Sequence, residues 1–261
     1  MDEVGRDLNL TKNAANYMKF SVSSSDLLKH LQIANGAISS NPVLPILEDF
    51  LFTIENKKLT ISATDLETSI RTTIEVNADK DGQVAIPARI LLDTLKELPQ
   101  QPITFTVNEE NFAIKITSHY GNYRLAGEDG GDYPNIAEPN EVDTLTVPSE
   151  RLSRAINKTL FATSSDELRP AMTGVYVQVD FSKIIFVATD AHKLVKHSFE
   201  GAKGEVSTSF IIPKKALTLL KNALSGDGEV KMAFNKSNVF FSFGDIDMVC
   251  RLIDARYPDY N

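Results

Sequence analysis

Two Thr-Asp pairs are the first residues in this chain whose types and spacing could do chemistry: Thr64-Asp65 and Thr189-Asp190, the second followed by His192. A carboxylate two residues from an imidazole could serve as an acid and base, or begin a metal site. Their recurrence at equivalent positions favours a structural use, because an aspartate at a strand end commonly accepts the backbone N–H groups of a turn. The remaining candidates do not assemble. There are four histidines and one cysteine, Cys250, with no Gly-rich phosphate loop and no nucleophile elbow. Residues 127–131, Gly-Glu-Asp-Gly-Gly, read as an acidic interdomain linker and not as a phosphate cradle. The expectation is a protein with no catalytic residue of its own, no metal and no cofactor, and an enzyme is the weaker reading.

The other chemistry is cationic. On the helix predicted after Ser149, Leu152, Ala155, Ile156, Thr159 and Leu160 form an apolar face flanked by Arg151, Arg154 and Lys158. On the helix predicted from Pro213, Leu217, Leu220 and Leu224 face inward and Lys214, Lys215 and Lys221 carry the charge. Six basic residues thus stand against one acidic residue, Glu150, in a chain whose formal net charge is -8. On a single amphipathic helix such residues are usually only its solvated face. Two equivalent helices biased the same way in an acidic protein point to a polyanion, since phosphate binding runs on Lys and Arg. The first half is weaker: Lys29 is offset by Asp26, and Arg89 and Lys96 by Asp93 and Glu97.

What positions these residues is a duplicated domain. Leu44-Pro45-Ile46, Phe50 to Ile54 and Ala63-Thr64-Asp65 return as Arg169-Pro170-Ala171, Val175 to Val179 and Ala188-Thr189-Asp190. Leu28 answers Leu152, Ile86-Pro87 answers Ile212-Pro213, and Tyr133-Pro134 answers Tyr257-Pro258. The landmarks keep their order at offsets of 124 to 126, a period far longer than that of solenoid repeats. Within each copy, alternating runs such as Phe50-Phe52-Ile54 and Leu59-Ile61-Ala63 about Asn56-Lys57 predict hairpins. Helices are predicted to start after Ser24 or Ser25 and after Ser149, taken as N-caps, and at Pro87 and Pro213. Each copy reads as two successive units of one strand, one helix and three strands. The fold class expected is α+β, tandem domains each with two helices packed on antiparallel sheets.

The chain has 261 residues, 42% of them hydrophobic and 24% charged, which suits two water-soluble domains. A single cysteine allows no intramolecular disulfide, and no apolar run is long enough to cross a bilayer. The polar start lacks the layout of a signal peptide, so a cytoplasmic protein without a membrane partner is expected.

Met18-Lys19-Phe20, Leu27-Leu28-Lys29, Leu44-Pro45-Ile46-Leu47, Ala63-Thr64-Asp65-Leu66-Glu67, Ala188 to Leu194 and Arg256-Tyr257-Pro258-Asp259-Tyr260 resemble the bacterial DNA polymerase III beta subunit, the beta sliding clamp. The resemblance runs in order from Met18 to the last residue. It implies a DNA clamp fold: three similar domains per subunit, two subunits closing head to tail into a ring, helices lining the hole and sheets forming the rim. On this resemblance residues 1–17 are an N-terminal extension, 18–139 the first clamp domain and 140–261 the second, with the third absent. The function implied is that of a processivity factor in DNA replication. It encircles duplex DNA without sequence preference and tethers the polymerase III alpha subunit, the clamp loader and repair polymerases through short linear motifs.

The DNA-binding residues so implied are Arg151, Arg154, Lys158, Lys214, Lys215, Lys221 and Lys29. The partner-peptide cleft maps to Met172, Thr189, His192, Lys193, Leu194 and Pro258, and the subunit interface to the edge strand carrying Tyr123 and Leu125. Three departures qualify the match. Ala191 replaces a frequent glycine, and Asn41 stands where some relatives carry a DNA-contacting arginine. A chain ending at Asn261 is also expected not to close a family-type ring on its own, but to be a monomer or a non-native dimer. The rival outside this family is a duplicated β-rich binding module with no DNA role, which would share the repeat and the core but need not place its cations on the helices.

Overall fold

The computed structural model describes residues 17–260 except Ser182 and Glu205. The extension expected over residues 1–17 lies, apart from Tyr17, outside the described residues. The chain divides into two compact units: the described residues up to Asp65 with Ile70–Asn135, and Leu66–Ser69 with Ile136 onward.

The first unit contains β1 (Tyr17–Ser23), α1 (Ser24–Ala34), β2 (Asp49–Glu55), β3 (Lys58–Thr64), β4 (Thr68–Glu75) from Ile70 onward, β5 (Asn77–Ala78), β6 (Gly82–Pro87), α2 (Ala88–Lys96), β7 (Pro102–Asn108), β8 (Ala113–Ser118), β9 (Gly121–Ala126) and β10 (Glu128–Asp129). One sheet has the order β5-β1-β7-β8-β9, and a second runs β10-β6-β2-β3-β4. The alternation read from the sequence fixes which face is buried. Phe50, Phe52 and Ile54 are fully buried and pair with a strand in which Leu59 and Ile61 are buried too. Asn56 and Lys57 close that hairpin with φ of 51° and 62°, the left-handed pair that a two-residue turn requires. Phe20 of β1 stacks on Phe105 of β7 with ring centres 4.7 Å apart, and Phe52 of β2 leans on both, so aromatic rings join the two sheets. The two helices pack against each other. α1 also reaches β1 and β3, while α2 reaches β2 and β6.

The second unit repeats this plan with β11 (Asp143–Pro148), α3 (Ser149–Thr159), β12 (Gly174–Asp180), β13 (Lys183–Thr189), β14 (Leu194–Glu200), β15 (Ser207–Pro213), α4 (Lys214–Ala223), β16 (Glu229–Phe234), β17 (Asn238–Phe243) and β18 (Ile246–Arg251). Its sheets run β14-β13-β12-β15 and β18-β17-β16-β11, all pairings being antiparallel. The expected α+β architecture, two helices per copy on antiparallel sheets, is the one observed.

Three local expectations are corrected. Ser23, not Ser24 or Ser25, caps α1, its hydroxyl accepting the Asp26 N–H at 3.5 Å. Ser149 is likewise not a cap: Pro148 holds that position, because β11 runs directly into α3. Ser24 and Ser149 instead anchor the helix starts to neighbouring turns, their N–H groups donating to Gln101 O at 2.8 Å and Gly228 O at 3.0 Å. Residues 127–131 are not a linker either. Glu128 and Asp129 form β10 on the edge of β6, and Gly130–Asp132 make a 3-10 turn. Glycine permits this contact, since a side chain at Gly127 would meet the Ala85 carbonyl oxygen at 2.8 Å.

Candidate nucleic-acid interface and peptide cleft

In α3 the residues Leu152, Ala155, Ile156 and Thr159 are buried, and Arg151, Arg154 and Lys158 are exposed on the opposite side. Helix α4 lies beside α3, buries Ala216, Leu217 and Leu220, and exposes Lys214 and Lys215 with Lys221 half-buried. The six cations are not equivalent. Arg154 ion-pairs with Glu150, and the Arg151 guanidinium donates to the Glu200 carbonyl oxygen. Lys158 sits in the last turn of its helix, where a cation suits the carbonyl end. Lys214 and Lys215 occupy the first turn of α4, at the positive end of the helix dipole, with no acidic residue in that turn. That placement costs about 0.3–1 kcal/mol per charge. Among the described residues none of Lys158, Lys214 and Lys221 is held in an ion pair. In the first unit, Lys29 is 3.5 Å from Asp26 and Lys96 is 3.5 Å from Asp93.

The cleft candidates gather at one end of the four-stranded sheet of the second unit. Antiparallel register sets the start of β12 beside the end of β13, and Thr189 pairs with Leu194 at the start of β14. Met172 precedes β12 in the 3-10 turn Pro170–Thr173, where its carbonyl accepts the Ser164 N–H at 2.8 Å. The turn between β13 and β14 is closed from within. The Thr189 hydroxyl donates to Lys193 O at 2.7 Å and accepts the Ala191 N–H at 3.1 Å. Asp190 Oδ1 accepts the N–H groups of His192 and Lys193 at 3.0 and 2.9 Å, and its carboxylate pairs with the Lys193 ammonium. The side-chain and backbone donors of Lys193, then that of His192, hold the Asp190 carboxyl well below its usual range. Asp190 is a turn residue, as its recurrence suggested, and Lys193 already has a counter-ion. His192 and Leu194 are exposed, Leu194 by 48%, and Ala191 sits at φ 74°.

Sequence reasoning missed what holds this corner. Tyr257 stacks on Tyr176 of β12 at 4.8 Å and donates its hydroxyl to Val187 O of β13 at 3.3 Å. Tyr260 meets Tyr176 edge-on at 6.1 Å, donates to Gln178 Oε1 at 2.7 Å and lies under the Lys196 ammonium at 5.0 Å. Pro258 is thereby held on the sheet face at the end that carries Thr189 and Leu194. Burial pushes the Tyr257 hydroxyl up to about 12. The recurrence of Tyr-Pro in both copies was the available signal, but the counterpart of Tyr176 in the first copy is Leu51, so Tyr176 carried none. The copies also differ at Met172: its counterpart Leu47 is fully buried with Ile46, Ala85 and Tyr133, whereas Met172 is half-exposed.

Tyr123 and Leu125 are half-buried on β9, the edge strand of the first unit's five-stranded sheet, where they alternate with exposed Asn122 and Arg124. A polar groove of about 810 Å³, lined by residues such as Asn140, Asp143, Ser209, Asn235 and Asn238, contains none of the candidates. Among the described residues no group of three or more His, Cys, Asp or Glu is arranged to hold a metal ion. No helix among them is long and apolar enough to cross a membrane.

A duplicated α+β domain with paired helices on antiparallel sheets is the arrangement of the clamp class of folds. Residues 18–137 match the profile of the DNA polymerase III beta subunit, N-terminal domain, and residues 146–259 that of its central domain. The chain is 30% identical over 251 residues to the beta sliding clamp of Staphylococcus epidermidis, and equally to that of Staphylococcus aureus. It covers 66% of the length of these relatives with 93% of its own. The crystal structure of the Bacillus subtilis DNA polymerase sliding clamp superposes with a TM-score of 0.89 at 27% identity, covering 93% of this chain and 66% of that one. A Pseudomonas aeruginosa clamp, solved bound to griselimycin, gives a TM-score of 0.87 at 27% identity with the same coverage. The chain belongs to the DNA polymerase III beta subunit family.

Proposed function

We propose that this chain works as part of a sliding clamp, a processivity factor without catalysis of its own, whose α3 and α4 face the phosphates of duplex DNA. The observation that carries this reading is the placement of Lys214 and Lys215 at the positive end of α4. A sequence selected for folding alone would put Asp or Glu there. Two lysines at that end, on a helix that packs against α3, favour an anion held by charge and by helix N–H groups, and Lys158 and Lys221 add charge held in no ion pair among the described residues. Phosphate contacts of this kind position a duplex and read no bases. Arg151, Arg154 and Lys29 contribute less, each being already engaged by its own protein.

Met172, Thr189, His192, Lys193, Leu194 and Pro258 form, on this proposal, one wall of a site for short linear motifs of the polymerase III alpha subunit, the clamp loader and repair polymerases. The exposed Leu194 and half-exposed Met172 suit an apolar anchor. Tyr123 and Leu125, on an unpaired sheet edge of the first unit, suit strand pairing with another subunit in a homodimeric ring. The protein would act in the cytoplasm.

The test is the Lys214→Glu/Lys215→Glu variant, which separates folding from function by opposite signs. Removing the unfavourable dipole interactions should raise stability by about 0.6–2 kcal/mol at low salt. Binding of a nonspecific duplex should fall sharply. Unchanged duplex binding would exclude this face and leave a duplicated binding module without a DNA role.

A further inference from the structure

The segment following β9 is strapped over the first unit. The Gly127 N–H donates to Phe112 O at 3.0 Å, β10 pairs with Val84 and Ala85 of β6, and Asp129 Oδ1 accepts the Gly131 N–H at 2.8 Å. The strap ends at Tyr133, 6% exposed, whose hydroxyl donates to the backbone carbonyl of Asp49 at 3.3 Å. Asp49 opens β2 and is itself only 6% exposed. Its Oδ2 is buried and has no hydrogen-bond partner among the described residues. The charges that act on it are both negative: Glu128 on the strap and Glu48 in the preceding 3-10 turn. Tyr133 is the remaining titratable group facing it, its hydroxyl pushed up to about 12, chiefly by burial. Position 174, the counterpart in the second copy, is glycine, so the fold itself does not require a carboxyl here.

We propose that Asp49 and the strap Glu128–Tyr133 form a proton-controlled latch, seated while Asp49 carries a proton and loosened when it gives the proton up. A neutral carboxyl tolerates this site. An ionised one leaves a buried charge without a donor and faces the Glu128 carboxylate, and both are relieved when the strap lifts and water enters. Burial, reinforced by Glu128 and Glu48, raises the seated Asp49 carboxyl to about 7, against an ordinary value of 3.8. Lifting the strap therefore releases a proton. The opening equilibrium should rise about tenfold per pH unit between about pH 4 and 7 and level off above, where both states are ionised.

Amide hydrogen exchange on the whole chain between pH 5 and 8, corrected for intrinsic rates, reads this directly. In the wild type, protection of the strap amides, including Gly131 and Tyr133, should fall about 50-fold from pH 5 to 7 and by no more than about a further twofold to pH 8. In Asp49→Asn it should be flat, and β16 and β17 of the second unit should be unaffected in both proteins. If Asp49→Asn does not fold, Glu48→Gln/Glu128→Gln serves instead and should move the levelling point to lower pH. The latch is overturned if the wild type is as flat as Asp49→Asn or its levelling point ignores the double change. It is equally overturned if strap amides lose protection only in step with β2 and β7, because that would be global unfolding.

Discussion

Truncating Tyr257 should destabilise the second unit and disable its cleft while leaving the DNA face alone. Tyr257 is half-buried, stacked at 4.8 Å on Tyr176 and bonded to Val187 O. Removing a fully buried aromatic ring costs about 3–5 kcal/mol, and half that burial, including the stacking term, gives about 2 kcal/mol for Tyr257→Ala. For a unit of this size the unfolding temperature should drop by roughly 8 °C. Tyr257→Phe keeps the ring and loses one 3.3 Å hydrogen bond, so it should cost about 0.5–1 kcal/mol. Calorimetry gives both values, and exchange of the amides from Tyr257 to Tyr260 should accelerate in the alanine variant first. Because Tyr257 holds Pro258 at the corner of Thr189 and Leu194, binding of a clamp-motif peptide should weaken in Tyr257→Ala with duplex binding unchanged. An alanine variant that unfolds at the wild-type temperature, or binds peptide normally, would refute the anchoring role.

Met172→Glu should abolish amide shifts of Thr189 and Leu194 in a peptide titration while changing stability by less than about 1 kcal/mol, since the side chain is already half-exposed. Asp190→Asn keeps an oxygen for the His192 and Lys193 N–H groups but frees the Lys193 ammonium. It should leave the unfolding temperature unchanged and tighten binding of an acidic-flanked peptide at low salt. Ala191→Gly removes a left-handed Ala at φ 74° and should stabilise by up to about 1 kcal/mol in denaturant titrations.

The fold was legible because both copies state it twice. Periodicity placed the β2–β3 hairpin, its counterpart in the second copy and all four described helices, since buried positions such as Phe50, Phe52 and Ile54 leave one register open, whereas β4 and β14 were counted but not located. The helix starts at Ser24 and Ser149 were misread by a residue, because their serines bind distant turns or stay buried, contacts that a local cap pattern does not contain. Gly127 to Gly131 read as a linker because its acidic residues hide a backbone contact with β6. Charge bias on α3 and α4 was visible from composition, but which cations are already engaged was not. The pairing of Arg154 with Glu150 is local and could be read, whereas that of Arg151 with Glu200 O crosses from α3 to β14. The tyrosine cluster was invisible because its members come from β12 and from the segment after β18, which only the folded sheet brings together.

The central claim is that the cations of α3 and α4 hold duplex phosphates by charge without reading bases, and the salt dependence of duplex binding tests it most directly. Each phosphate neutralised contributes about -0.9 to the slope of log K against log salt. Four lysines, Lys158, Lys214, Lys215 and Lys221, give a slope of about -3.6, a loss of roughly 150-fold between about 50 and 200 mM salt. Fluorescence anisotropy with two duplexes of unrelated sequence should return that slope for both, with equal affinities. A slope near zero, or a clear preference for one sequence, would contradict the account.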